Sequence, residues 1–258
     1  MAFPTDLFSL EGKIALVTGA TRGIGRHLAQ GLANAGARTV LTGRDSAALV
    51  GSAEAIRGIG REVRCVVMDV SSVASIHAAF AHVTETIGPI DVLINNAGVE
   101  TIRPSLEVDE ETWDRIQDTN LRGAFFCSQA AASARPSAQS ALSIINVCSL
   151  TSQVGVPQAV PYGASKSGLV GMTRALAAEW ASMNIRVNGL GPGYFRTQMT
   201  ESFYRDPAWR TRMLDKIPMA RFGEHDDLIG ATVFLASNAS AYVTGQVIYV
   251  DGGYLASI

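Results

Sequence analysis

Cysteine is scarce in this chain. Cys65, Cys127 and Cys148 are the only three in 258 residues, and no pair has CxxC or metal-ligand spacing. That excludes a zinc ribbon and a disulfide-stapled scaffold; Cys65 and Cys148, set inside apolar runs, read as core residues. Histidine is scattered as His27, His77, His82 and His225. His77 and His82 miss the spacing of three or four that puts two ligands on one helix face, so no metal is expected. No GxSxG occurs, which leaves a serine hydrolase unsupported. Charge is low, at 17% of residues with a net charge of −2. No basic field is therefore available to draw nucleic acid or an anionic membrane surface. No uncharged apolar run reaches about 18 residues, so no membrane span is expected. The opening "MAFPTDLFSLEGK" is broken by Pro4, Asp6 and Glu11 and lacks the basic and apolar regions of a signal peptide. These absences point to a cytoplasmic enzyme. Internal repeats, low-complexity tracts and linkers are missing as well, and "ARPSAQSA" (134–141) reads as a surface turn.

What the chain has is apolar content, 47%, enough for a sizeable core. It is laid out in alternation. Short apolar runs at 13–18, 38–43, 62–70, 91–98, 142–149, 185–193 and 246–253 read as strands. Helical spacing fills 23–36, 46–59, 72–87, 109–134, 161–182 and 225–237, with Pro161 suited to a first turn. Alternation from end to end predicts an α/β fold, a parallel sheet with helices on both faces. A (β/α)8 barrel also alternates, but a glycine-rich first turn with an acidic position after a later strand favours a doubly wound sheet. One domain is expected over 1–258. Its dinucleotide-binding half spans about 11–150, its catalytic and substrate half about 151–258, and a lid about 197–216.

The stretch "TGATRGIG" follows the first predicted strand and opens a helix. In that context Gly19 permits a tight turn, Gly23 lets backbone approach a pyrophosphate, and Gly25 permits close packing of helix on strand. Arg22 sits at the mouth of that helix, where the positive end of the helix dipole disfavours a cation unless an anion comes to meet it. Tyr162 and Lys166, four apart on a helix, share a face. A lysine ammonium beside a phenol favours the phenolate, bringing a group with a reference pKa of about 10 nearer to neutral pH.

TGxxxGxG, then "NNAG" at 95–98, then YxxxK at 162–166 occur in an order that resembles the classical short-chain dehydrogenase/reductase family, over nearly the whole chain. The resemblance implies a Rossmann-type sheet of seven parallel strands, a nicotinamide cofactor and a homotetramer or homodimer; a homotetramer is expected, with "YVTGQVIYVDGGYLASI" as a subunit-contact segment. It implies that Tyr162 is the general acid in ketone reduction and the base in alcohol oxidation. Ser149 would orient the carbonyl, Lys166 would hold the nicotinamide ribose, and Asn120 would fix a water that relays protons. Ser143, Thr151 and Ser152 rival Ser149 in residue type only.

The cofactor set implied is Gly19, Thr21, Arg22, Gly23, Ile24 and Gly25 in the glycine loop, Arg44 after the second strand, and Asp69 with Val70 against the adenine. Asp69 could also cap a helix. Asn96, Ala97 and Gly98 would lie against the nicotinamide ribose, with Asn95 bracing the sheet; Tyr162, Lys166, Phe195 and Thr197 complete the set. Gly43 stands where NAD-preferring members place an aspartate, so Arg22 and Arg44 are free to grip the 2′-phosphate of NADP(H).

The activity expected is NADPH-dependent carbonyl reduction of a small ketone, reversible to alcohol oxidation. Two branches compete for the substrate. The 3-oxoacyl-carrier-protein reductases share most of the "TGATRGIGR" loop, but the basic run expected for docking an acidic carrier is reduced here to Arg135. The sugar-acid and polyol branch similar to gluconate 5-dehydrogenase better matches "DLFSLEGKIALVTGA", "PGYFRT" and "GQVIYVDGGYLAS". A catalytically silent cofactor-binding protein is the reading from another class. The lid aromatics Phe203, Tyr204 and Trp209 fit either a pocket wall or lid packing.

Overall fold

A computed structural model describes residues 4–137, 140–198 and 200–258. The first three residues of the opening, the middle of the 134–141 turn and Met199 of the lid lie outside the described residues. After a short helix, α1 (Pro4–Leu7), the chain alternates between strand and helix: β1 (Ile14–Val17), α2 (Gly23–Asn34), β2 (Arg38–Gly43), α3 (Ser46–Arg57), β3 (Val63–Val67), α4 (Val73–Thr86) and β4 (Val92–Asn95). Then come α5 (Glu110–Gln117), α6 (Gly123–Ser133), β5 (Leu142–Val147), α7 (Val160–Trp180) and β6 (Ile185–Pro192). The short α8 (Glu201–Tyr204) and α9 (Pro207–Leu214), α10 (Ile229–Ala236) and β7 (Val247–Val250) complete the order. All seven strands pair in parallel in the order β3-β2-β1-β4-β5-β6-β7. This is the expected doubly wound sheet, and it excludes the barrel.

β1 shows why the buried strands read as unbroken apolar runs. Ala15 and Val17 face one core, with Leu28, Leu32, Leu49 and Leu235. Ile14 and Leu16 face the other, with Ile76, Phe80, Leu176 and Trp180. Burying a side chain of this size contributes about 1.5–3 kcal/mol, and both faces are covered by helices, so no polar alternation is needed. Local capping sets the helix starts. Asp45 accepts from Ala48 N at 3.0 Å to begin α3, and Asp109 accepts from Thr112 N at 2.8 Å to begin α5.

The expected helix over 109–134 is one continuous rod with an interruption, since α5 and α6 are joined by a π-helical segment, Asp118–Arg122. The helix expected over 225–237 begins as a 3-10 turn, His225–Leu228. Strand order reverses between β1 and β4, so the loops after these two strands diverge and open a crevice at the carboxyl end of the sheet.

Candidate active site

The loops at that end enclose a cleft of about 700 Å³. The glycine loop forms its floor. Thr18 Oγ1 donates to Ile94 O and accepts from Asn96 N and Ala97 N, while Asn96 Nδ2 donates to Thr18 O and Gly19 O. These bonds staple the loop after β1 to the loop after β4. Gly19 has φ +63°, and a Cβ there would stand 2.8 Å from Ala97 Cα, so no side chain fits. A Cβ on Gly25 would fall on the Asn96 amide, which explains the close packing of α2. Gly23, at φ +54°, faces open space with Thr197 4.0 Å away.

Arg22 is the N-cap of α2, gives no side-chain cap, and no acidic residue occupies the first turn. The amino end of a twelve-residue helix is thus uncompensated and open to an anion. Arg22 and Arg44 both line the cleft and are exposed, and among the described residues neither makes a salt bridge. Between them Gly43 packs on the glycine loop: a Cβ there would stand 2.8 Å from Thr21 Cγ2. Two unmatched guanidinium groups beside an open helix start, with no room for an aspartate at position 43, suit a dinucleotide bearing a 2′-phosphate.

Met68, Asp69 and Val70 line the cleft beyond the glycine loop. Asp69 Oδ1 accepts from Ser71 N and Ser71 Oγ, closing a turn, and the cap of α4 is Ser72, so Asp69 is not the helix cap. At the far side Phe195 and Thr197 are held by Thr200. Its Oγ1 donates to Phe195 O at 2.9 Å, and it lies 3.2 Å from Thr197 Oγ1. Thr200 has no separate signal in the sequence beyond its place three residues after Thr197.

The candidate chemical groups meet where β5 ends and α7 begins. β5 closes at Val147, so Ser149 sits two residues beyond it, as N-cap of a 3-10 turn (Leu150–Ser152). Its hydroxyl accepts from Thr151 N at 3.2 Å and lies within hydrogen-bonding reach of the Tyr162 phenol. Two of the rivals are engaged elsewhere, while Thr151 stays in the cleft. Ser143 donates to Leu235 O in the core, Ser152 donates to Lys166 O, and Thr151 Oγ1 is buried without a hydrogen-bond partner.

Lys166 Nζ donates to Val147 O at 2.6 Å and lies 5.6 Å from the Tyr162 ring centroid. Burial pushes the Lys166 ammonium down to about 8, against the opposing influence of Cys148 and Glu100. Tyr162 is raised above its ordinary value, first by burial and then by the negative charge of Glu100, while the Ser149 hydrogen bond acts the other way. Burial here outweighs the pull towards phenolate expected of Lys166. With the lysine 5.6 Å from the ring and bonded to a carbonyl, desolvation wins.

Asn120 lies behind these groups. It is 1% exposed, on the π segment, and its side chain clamps the chain leaving β4. Oδ1 accepts from Val99 N at 2.8 Å, while Nδ2 donates to Val99 O at 3.0 Å and to Ser165 Oγ at 3.1 Å. A side chain so committed holds the loop after β4 in place. The wider π turn is the local distortion that puts it there. Asn95 braces the sheet as expected, donating to Ala124 O, Ser128 Oγ and Asn146 Oδ1.

The lid aromatics do both things asked of them. Trp209 packs against Tyr194, Phe203, Tyr204 and Phe222, with centroids 5.3–5.9 Å apart, and Phe203, Tyr204 and Trp209 also line the cleft. Of the cysteines, Cys127 and Cys148 are buried and burial raises their thiols to about 12 and about 11; Cys148 also lines the cleft, and Cys65 is half-buried. Among the cleft residues that escaped sequence reading, two are charged, Glu100 and Arg115. Glu100 could have been noticed as an acidic residue two positions past NNAG, at the carboxyl end of a central strand where ligands bind.

Comparison with known proteins follows the same lines. A family model described as enoyl-(acyl carrier protein) reductase matches residues 19–255. The chain is 40% identical over 254 residues to gluconate 5-dehydrogenase of Gluconobacter oxydans (strain 621H), covering 98% of each protein. A gluconate 5-dehydrogenase from Burkholderia cenocepacia J2315, solved in complex with NADP and tartrate, superposes with a TM-score of 0.95 at 36% identity, over 99% of this chain and 100% of that one. A short-chain type dehydrogenase/reductase from Mycobacterium marinum superposes with a TM-score of 0.92 at 38% identity, over 96% and 98%.

Proposed function

This chain belongs to the short-chain dehydrogenase/reductase family, and from that premise we propose that it is an NADP(H)-dependent oxidoreductase that interconverts a hydroxylated ketone, or a keto acid of the sugar-acid type, with its secondary alcohol. The observation that carries the reading is the juxtaposition in one cleft of an anion-ready glycine loop with Ser149, Tyr162 and Lys166. Glycine-loop backbone from Gly19 to Gly25 would hold the pyrophosphate, and Arg22 and Arg44 the 2′-phosphate. Asp69 and Val70 would flank the adenine. Asn96, Ala97, Gly98 and Lys166 would lie at the nicotinamide ribose, with Phe195 and Thr197 at the carboxamide. When bound, this group supplies or accepts the hydride.

The chain's own residues do the rest. In reduction Ser149 donates to the carbonyl oxygen and orients it, and Tyr162 passes its phenolic proton to that oxygen as it gains negative charge. The raised phenol stays protonated at neutral pH, and its proton becomes easier to give up when positive charge from Lys166 stands near the ring. Oxidation of the alcohol needs the phenolate, which is favoured when Lys166 is released from Val147 O towards the ring and a positive nicotinamide stands nearby. Asn120 holds Val99, and so the loop that walls this corner, in place.

The carrier-protein branch is disfavoured by Arg135. This one basic residue of the 134–141 stretch donates to Ala132 O, Ser140 O and Met183 O, so its guanidinium staples its own turn. The two halves, about 11–150 and about 151–258, act as one catalytic unit in this reading, because β5 and β6 pair across the divide. A homotetramer in the cytoplasm remains the assembly and location we propose. Its support is apolar surface: the edge strand β7 is half-buried at all four residues, Trp113 and Val160 line a shallow groove, and Leu106 is exposed. Steady-state turnover of NADPH with a keto-gluconate, a simple β-keto ester and a carrier-bound acetoacetyl thioester tests the function. The free hydroxylated substrate should win. A carrier-bound thioester ahead by more than about tenfold, about 1.4 kcal/mol in transition-state binding, would remove the sugar-acid reading.

A further inference from the structure

Polar groups without protein partners line the cleft. Glu100 lines the cleft and is half-buried, and among the described residues its carboxylate has no salt bridge. It lies close enough to the catalytic pair for its charge to act on both Tyr162 and Lys166. Two further residues lining the cleft, Thr151 and Tyr204, carry buried hydroxyls with no hydrogen-bond partner. Glu100 is also held firmly: it follows Val99, whose N–H and C=O are both bonded by Asn120. Buried polar atoms are normally paired, and leaving one unpaired is costly. Two such hydroxyls in one cleft, with the half-buried carboxylate of Glu100 on a clamped backbone beside them in the lining, form a surface that a polar ligand completes.

We propose that Glu100 is the residue that reads the substrate, accepting a hydrogen bond from a hydroxyl on the carbon beside the reacting carbonyl. The cleft thereby selects ketones with a hydroxylated neighbour over ketones with a plain methyl or a carboxylate in that place. This rests on the carbonyl-reductase reading above and names its substrate class more closely. A ketone with a plain methyl neighbour offers Glu100 nothing to accept, and a carboxylate beside the carbonyl would set like charges against each other. A substrate carboxylate several carbons away escapes that repulsion, so keto acids with a remote acid group and polyhydroxylated neighbours are accommodated. The side chain is a specificity determinant. Proton delivery stays with Tyr162.

Hydroxyacetone, acetone and pyruvate present the same reacting carbonyl beside a hydroxymethyl, a methyl and a carboxylate. Steady-state kcat/KM with NADPH should be at least about tenfold higher for hydroxyacetone than for either of the others, the size of a charge-assisted hydrogen bond at its lower end. In Glu100→Leu the ratio of hydroxyacetone to acetone should fall about tenfold, chiefly through KM. In Glu100→Gln, which keeps an acceptor and removes the charge, the ratio of pyruvate to acetone should rise several-fold. Ratios cancel any general loss of activity, and NADPH fluorescence titration of each variant checks that the cofactor site is intact. A wild-type enzyme that reduces pyruvate as well as hydroxyacetone, or ratios that do not move in either variant, would overturn the role of Glu100 and leave the reductase standing. Absence of NADPH turnover with these three and with the keto-gluconate would overturn the reductase reading itself.

Discussion

Removing the guanidinium of Arg44 should cost affinity for NADPH and leave NADH untouched. The magnitude follows from the setting. A hydrogen bond to a charged group contributes about 1.5–3 kcal/mol. Arg44 and Arg22 are both exposed, so the lower end applies, and about 1.4 kcal/mol is tenfold. Arg44→Gln should therefore lower kcat/KM for NADPH about tenfold, with the change falling on KM. Arg22→Gln should do much the same, and the double variant less than the hundredfold product, because both groups would share one phosphate. The wild-type preference should weaken as salt rises, since exposed charges are screened. Introducing an acid at position 43 is a sharper test but meets a steric obstacle. A Cβ there would stand 2.8 Å from Thr21 Cγ2 and 3.7 Å from Leu49 Cδ2. Gly43→Asp alone should weaken both cofactors by displacing the glycine loop. Gly43→Asp with Thr21→Ser, which removes the offending methyl, should favour NADH. The assay is steady-state kinetics with NADPH and NADH against one ketone. Equal loss for both cofactors in Arg44→Gln, or a wild type that already prefers NADH, would refute the assignment.

Other consequences are equally open to measurement. Tyr162→Phe should abolish nearly all turnover while NADPH titration stays close to wild type, because only the proton donor is gone; substantial activity would contradict the proposed chemistry. Asn120→Ala removes three hydrogen bonds at a buried site and strands Val99 N–H and C=O. It should destabilise the protein by about 2–3 kcal/mol in urea titrations, and Asn120→Asp should restore only part of this, since a carboxylate can accept from Val99 N but cannot donate to Val99 O. The depressed Lys166 gives a pH signature. Its folded value near 8 lies below the ordinary 10.5, so between these the unfolded chain binds more protons and stability attributable to Lys166 rises with pH. The stability difference between wild type and Lys166→Met should therefore shift in favour of wild type from pH 8 to pH 10.5, and a flat difference would contradict the burial of a charged lysine. Glu100→Gln should move the basic limb of the activity profile to lower pH, because its charge favours the protonated forms of both Tyr162 and Lys166.

Much of this site was legible because its residues obey local rules. Gly19, Gly23 and Gly25 take positions that backbone geometry forces, and the strand–loop–helix context around them can be read from periodicity alone. The strands could be read as buried because both faces are covered, as Ile14 to Val17 illustrate. What stayed hidden depends on distance between elements. Asn120 shows its type in the sequence, yet that it spends its side chain on Val99, 21 residues away, follows from the π segment between α5 and α6. The Tyr162–Lys166 spacing announces a pair, but the balance of burial against charge is a property of the folded cleft. Thr151 and Ser149 look alike on paper, and only the turn after β5 sends one to Tyr162 and leaves the other unpaired. Glu100 lies outside every motif because substrate contacts are set by side chains converging from several loops.

The central claim, hydride delivery to a carbonyl carbon, is tested most directly by isotope. NADPH deuterated at the transferring position of the nicotinamide is incubated with the wild-type protein and hydroxyacetone or a keto-gluconate, and the product is examined by NMR. The account predicts deuterium on the carbinol carbon, on one face only, and no more than a trace of product with Tyr162→Phe. Deuterium appearing instead on the β-carbon of an unsaturated thioester, with none reaching a ketone, would contradict it.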